Sequence, residues 1–178
     1  STAPSSIARC PATGSTRLPT RTGSSWIIRV LLASSAVPSQ FVSDGVTYRW
    51  RGPLTDAEMV ELVNAHGGNA EIGWWDRIRP HSLGWVTARD AGGRLIGFVN
   101  VVSDGGDHAF LIDTKTHGAH QRKGIGTRVV HLAAQHAKAA GCEWLHVDFD
   151  ADLAPFYFDA CGFRPTDAGL THLPSLDD

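Results

Sequence analysis

The hexapeptide Gln121–Arg122–Lys123–Gly124–Ile125–Gly126 joins a run that reads as a strand to a run that reads as a helix, and no other stretch restricts the fold as tightly. Glycines at such a join let backbone N–H groups approach a bound anion, and the first turn of the helix favours negative charge. The chain is therefore expected to hold a phosphate-bearing ligand over residues 121–127. The plain alternative is a tight turn ahead of a helix with no ligand, because a lone Gly-x-Gly recurs by chance. The flanking sequence has to decide between them.

Residues 46–51 alternate as a first strand. Thr55 and Glu58 have the spacing of a capping box, Met59, Leu62 and Val63 recur at helical spacing, and Gly67–Gly68 ends the run. Residues 71–80 read as a short or irregular helix closed by Pro80. Residues 83–89 and 94–102 are strands joined by a turn at Asp90–Ala91–Gly92–Gly93, and 108–116 is the next strand after Gly105–Gly106. After the glycine loop, Ile125, Val129, Leu132, Ala133, His136 and Ala140 share one helical face, and Gly141 closes that helix. Residues 143–149 alternate as a strand, so strand, helix and strand predict a crossover between parallel strands. Asp152 caps a late helix that Gly162 ends, and short strands are expected at Phe163–Arg164 and over 169–173. The expected fold is a mixed α/β sandwich: a mostly antiparallel mixed sheet flanked by helices.

The chain has 178 residues with 42% apolar residues, enough for one domain with a core. Its charge is uneven. Residues 1–45 carry four arginines against Asp44, a net of +3, while the remainder is net −5. An acidic domain argues against nucleic-acid binding. Cys10, Cys142 and Cys161 form no close pair, which fits a reducing, cytoplasmic setting and neither a disulfide scaffold nor a zinc site. Up to Ser25 the sequence is rich in Ser, Thr, Pro, Ala and Arg. The apolar run at 26–32 is interrupted by Arg29, lacks a clean cleavage site and is too short to cross a bilayer. Residues 1–45 are expected to be a poorly ordered or loosely docked arm, and 46–178 the domain. The 26–32 run is also the candidate contact for a second subunit, which leaves a homodimer open.

The glycine spacing does not fit the dinucleotide pattern Gly-x-Gly-x-x-Gly, and the Walker pattern is absent. His120–Gln121–Arg122–Lys123–Gly124–Ile125–Gly126 instead resembles the acyl-CoA pyrophosphate loop of the GCN5-related N-acetyltransferases. Leu111–Ile112–Asp113–Thr114–Lys115–Thr116 resembles that family's splayed fourth strand and residues 145–149 its fifth. Ala154–Pro155–Phe156–Tyr157 and Gly162–Phe163 resemble its late helix and exit. The resemblance covers residues 46–174 and implies the acyl-CoA N-acyltransferase fold, acetyl-CoA as cosubstrate and no metal. By that resemblance, backbone amides from Gln121 to Thr127, Gly124, Ile125 and Gly126 included, cradle the pyrophosphate, flanked by the side chains of Gln121, Arg122 and Lys123. Backbone groups near Thr114 and Thr116 hold the pantetheine arm.

Acetyl transfer to an amine needs a proton taken from the amine, a polarised thioester oxygen and an acid for the leaving thiolate. The resemblance points to Tyr157 as acid and Asp113 as base. The family spacing from this Tyr to the following Gly is four residues. Here it is five, so either the helix carries an extra residue or Phe158, which has no proton to give, takes the position. Asp113 has a plainer reading as an ion-pair partner of Lys115. His146 and Asp148 share a strand face and are candidates for a proton relay, while His117 and His120 flank the strand exit. Trp74 and Trp75, with Asp76, lie where the family lines its acceptor site, one tryptophan packing in the core while its neighbour faces the cleft; Asp148 is a further substrate-binding candidate, and Asn100 and Asp104 are weaker ones. His81, His108 and His146 imitate a metal cluster that nothing in the sequence fixes. The expected reaction is acetylation of a primary amine of a small molecule, with no nucleic-acid or membrane partner. A protein or peptide acceptor and a non-catalytic acyl-CoA-binding domain are the alternatives.

Overall fold

In a computed structural model, residues 37–175 are described, and they form one six-stranded sheet in the order β1-β2-β3-β4-β5-β6. The strands are β1 (Gln40–Ser43), β2 (Val46–Trp50), β3 (Gly84–Arg89), β4 (Leu95–Ser103), β5 (His108–Thr116) and β6 (Trp144–His146). The first five form an antiparallel meander, and β6 pairs parallel to β5. The helices are α1 (Asp56–His66), α2 (Trp74–Ile78) and α3 (Ile125–Ala139). Among the described residues no helix is long and apolar enough to cross a membrane.

Two apolar layers cover the sheet. On one side α3 buries Ile125, Val129, Val130, Leu132, Ala133 and Ala137 against Val86, Ala88, Ile96, Val99 and Val101. Each large aliphatic side chain taken from water there contributes about 1.5–3 kcal/mol. The other side holds Met59, Leu62 and Val63 of α1 with Trp75, Leu95 and Phe98. Alternation along the strands feeds both layers. Gly97 sets how closely α3 lies on β4, because a Cβ there would stand 2.8 Å from Cγ2 of Ile125. The Thr55–Glu58 capping box forms as its spacing predicts, and Gly67 at φ 104° ends α1.

The sheet departs from the sequence reading in three places. Its first strand is β1, inside the segment expected to be an arm. Asp44 (φ 52°) and Gly45 (φ 73°) make a tight hairpin turn between β1 and β2, which places the expected boundary at 45/46 within a hairpin. Residues 1–36, including the apolar run at 26–32, lie outside the described residues. The expected strand 143–149 keeps its pairing only at Trp144–His146, for the reason given below. Beyond it, none of the described residues forms a strand. Residues 163 and 164 and 169–173 are irregular apart from a single turn starting at Leu173, and the expected late helix is a 3-10 turn (Ala151–Leu153) followed by a π-helical turn (Pro155–Ala160).

Candidate active site between two diverging strands

The loop expected to hold a phosphate over 121–127 follows a short turn at Gly118–His120. His117 Nδ1 accepts the N–H of Ala119 and caps a short turn. Arg122 (φ 60°) and Gly124 (φ 75°) are both left-handed, a pattern that turns successive N–H groups to one side and favours an anion. α3 begins directly after Gly124 with no side-chain cap and no acidic residue in its first turn. Its first N–H groups therefore have no side-chain acceptor, which suits a pyrophosphate. Gly126 has a separate duty. A Cβ there would meet Cε2 and Cζ of Phe156 at 3.1 Å and Oγ1 of Thr116 at 3.5 Å.

The side chains of the loop make bonds within it. Gln121 Nε2 donates to the Thr116 carbonyl (3.4 Å) and Lys123 Nζ to the Ala119 carbonyl (3.0 Å). Arg128 Nη1 donates to the Lys123 carbonyl (3.1 Å). These groups fasten the loop to its own backbone. Arg122 is exposed. Thr127 shares a hydrogen bond with the Cys161 thiol. Burial pushes that thiol up to about 11 against the hydrogen bond, so it stays protonated at neutral pH.

The gap arises from a bulge. Phe98 pairs with Lys115 but Asn100 pairs with Ile112, so Asp113 and Thr114 together stand opposite Val99. Asp113 takes φ 57°, a conformation aspartate tolerates better than most residues. A bulge bends its strand. β5 and β6 pair only over His108–Trp144, Ala109–Leu145 and Phe110–His146, and separate beyond them. That separation is why the alternation of residues 143–149 overstates the strand.

Tyr157 is 5% exposed and lies in the π-helical turn, its ring stacked on Phe149 with centroids 4.5 Å apart. Its hydroxyl hydrogen-bonds the Thr114 side chain. Burial raises the phenol above its ordinary value, the Thr114 bond opposes this, and the nearby Cys161 and Asp148 add to it. The π turn accounts for the odd spacing. Cys161 N–H donates to the Phe156 carbonyl across five residues, so one extra residue fits before Gly162, and Tyr157 faces Thr114. Phe158 packs edge-on to Phe149 at 5.3 Å.

Asp113 is half-buried, and burial raises its carboxyl above the usual range, opposed by the charge of Lys115. Thr116 is more committed than expected, because His66 Nδ1, at the end of α1, lies 2.9 Å from its carbonyl oxygen and 3.3 Å from its nitrogen. Nothing in the sequence of α1 signalled that contact, which depends on tertiary packing.

The acceptor side needs a correction. Asp56 accepts the N–H groups of Gly73 and Trp75 and so fixes the start of α2. Trp75 is fully buried, edge-on to Trp85 (5.1 Å) and Phe98 (5.2 Å), and is out of reach of an acceptor. Trp74 is only partly buried and is the tryptophan of the pair left for that role. Asn100 is fully buried with neither amide atom hydrogen-bonded, opposite Trp85 on β3. Asp104 closes its turn by accepting from Gly106 and His108. His146 is not in a relay with Asp148: its Nε2 lies 2.7 Å from His108 Nδ1, and its ring stacks on Phe110 at 4.7 Å. Asp148 is exposed beyond the end of β6. Among the described residues no group of three or more His, Cys, Asp or Glu is placed to hold a metal ion.

Comparison with known proteins supplies the family. A stretch of 72 residues is 29% identical to ycf52, an uncharacterized N-acetyltransferase of Pyropia yezoensis. That match covers 40% of this chain and 41% of the relative, less than half its length. SA2161, a probable acetyltransferase of meticillin-resistant Staphylococcus aureus, is similar in structure with a TM-score of 0.63 and 23% identity, over 71% of this chain and 97% of that one. The GNAT family N-acetyltransferase YhbS of Escherichia coli, solved in complex with CoA, is similar with a TM-score of 0.56 and 16% identity, over 67% of this chain and 68% of that one. At such identities the structural likeness speaks for the fold alone. The sequence match is broader: residues 51–163, more than half of the chain, match the Acetyltransferase (GNAT) family, and to that family the chain belongs.

Proposed function

We propose that the protein transfers an acetyl group from acetyl-CoA to a primary amine of a small molecule, by direct attack in a ternary complex. The observation that carries the reading is the gap between β5 and β6, with the uncapped N-terminus of α3 at one end and the Tyr157 hydroxyl on Thr114 beside it. The residues fit an acyl-CoA: open backbone donors meet the pyrophosphate, and the bulge at Asp113 and Thr114 frees strand-edge groups for an extended arm.

Acetyl-CoA supplies an acetyl group already activated as a thioester. Asp113 takes the proton from the amine, and burial raises its affinity for protons, which suits it to that task. Backbone N–H groups freed by the bulge polarise the carbonyl oxygen. Tyr157 gives its proton to the leaving sulfur, and burial keeps the phenol protonated until it is needed. Neither Cys142 nor Cys161 acts as a nucleophile in this scheme.

The test is a panel of small amines, polyamines, amino sugars and lysine peptides with acetyl-CoA, read by thiol release. Amine-dependent release with small amines, and slower release with peptides, supports the reading. Tight CoA binding without release for any amine favours a non-catalytic acyl-CoA-binding domain.

A further inference from the structure

The N–H and C=O of Thr116, at the end of β5, both face away from β4. His117 donates its N–H to the Ile96 carbonyl at 2.9 Å. In an antiparallel ladder such hydrogen-bonded pairs alternate with pairs whose N–H and C=O groups point outward. Thr116, opposite Gly97, belongs to the second kind. Its two groups therefore open onto the side from which β6 has separated, along the gap. Strand-edge groups of this sort need a partner.

Their partner is His66, the last residue of α1. Its Nδ1 lies 2.9 Å from the Thr116 oxygen and 3.3 Å from the nitrogen. One ring nitrogen serves the two groups in turn: as Nδ1–H it donates to the carbonyl, and in the other tautomer it accepts the N–H. The carbonyl also accepts from Gln121 Nε2 at 3.4 Å, on its second lone pair. His66 is exposed, so its ring can turn out into water and exchange these bonds for bonds to water at small cost. The helix end need not move with it. Gly118 lies against Ala65, where a Cβ would stand 3.1 Å from the Ala65 carbonyl oxygen, so the end of α1 is seated on the chain just beyond Thr116.

We propose that His66 competes with the pantetheine arm for Thr116: the imidazole holds the strand edge, and acyl-CoA displaces it when the arm pairs with the same N–H and C=O. The inference rests on the acyl-CoA reading above. The amides of the arm offer a donor and an acceptor, the same two functions the ring nitrogen offers in its two tautomers. His66 thus keeps the edge of β5 satisfied, and its release sets part of the affinity for the cosubstrate.

The experiment is calorimetric titration of CoA and of ADP, which keeps a pyrophosphate and lacks the arm, into the full chain and into its His66→Ala variant. Loss of the competing bond should tighten CoA about two- to ten-fold, the net worth of one hydrogen bond, and leave ADP no tighter. His66→Asn, whose amide can donate or accept near the place of Nδ1, should return CoA affinity towards that of the original chain. In the ¹⁵N-labelled chain the ring nitrogens of His66 should shift with CoA and stay still with ADP. A merely structural His66 gives the opposite sign, weaker CoA binding in His66→Ala. That result, unchanged CoA affinity, equal tightening of ADP, or ring signals unmoved at saturating CoA overturns the inference and leaves the acyl-CoA site standing. CoA binding to neither protein overturns both.

Discussion

Gly126 and Phe156 touch across the start of α3: a Cβ on the glycine would stand 3.1 Å from two carbons of the ring. The ring in turn packs edge-on to Tyr157, with centroids 4.7 Å apart. A methyl at 126 therefore pushes on the aromatic that seats the proposed acid. Gly126→Ala gains about 1 kcal/mol of helix propensity and loses a comparable amount by crowding, so stability should change little. Acetyl-CoA affinity should fall, because the methyl is aimed at Phe156 and Thr116, beside the strand end proposed to hold the pantetheine arm. Calorimetric titration with CoA measures this, and unchanged affinity would place that arm elsewhere.

Tyr157→Phe separates catalysis from binding. As the acid, Tyr157 should account for about 10²–10⁴-fold in kcat, with acetyl-CoA affinity nearly intact. Phe158→Leu is the control, since Phe158 packs on Phe149 and has no proton to give. It should leave kcat within a few-fold. An unchanged kcat in Tyr157→Phe ends the assignment, and steady-state kinetics with a saturating amine is enough to decide.

Asp113→Asn makes opposite predictions for stability and activity. Burial raises the Asp113 carboxyl above its unfolded value, so the folded state binds the extra proton and the ionised group is a net penalty. Asparagine removes that penalty and tolerates φ 57°. Melting temperature should rise at neutral pH. The gain should shrink as pH falls through the raised pKa and vanish below the ordinary carboxylate range near about 3.9. Activity should fall as the base is lost. A lower melting temperature at neutral pH would make Asp113 a structural partner of Lys115 instead.

Glu58 works with the opposite sign. Arg89, 2.5 Å away, holds its carboxyl down to about 2, assisted by the capping-box bonds from Thr55. Its stabilisation is complete above the unfolded value and is lost as pH falls towards about 2. Glu58→Gln should cost about 1–2 kcal/mol at neutral pH after allowance for solvent screening, and nothing in strong acid. Denaturant unfolding at pH 7 and pH 2 reads the difference.

The legible parts of the sequence were those governed by local rules. The capping box at Thr55, the turn at Asp90–Gly93 and the glycine loop before α3 each depend on a few adjacent residues. What the sequence concealed depends on distant partners. The pairing of β6 stops because Asp113 bulges on another strand. Which of the two tryptophans is buried, Trp75, depends on Asp56, which fixes the start of α2. The extra residue after Tyr157 was visible as a spacing, but only the π turn shows which aromatic reaches Thr114. The Asp44–Gly45 turn is a local signal masked by the composition of residues 1–45 as a whole.

The β1–β2 hairpin changes where the chain tolerates shortening. A chain beginning at Val37 retains every described strand, including β1. One beginning at Gly45 loses β1, the stacking of Phe41 on Tyr48 (4.7 Å) and the ion pair of Asp44 with Arg128. It also exposes the edge of β2, with its N–H and C=O groups open to pairing with another chain. The shorter form should therefore melt lower and aggregate, while the form from Val37 folds and binds CoA. The comparison is made by thermal melts and light scattering on the two proteins. Equal melting temperatures would show that β1 adds nothing to the domain, and failure of the Val37 form would show that residues before it are required.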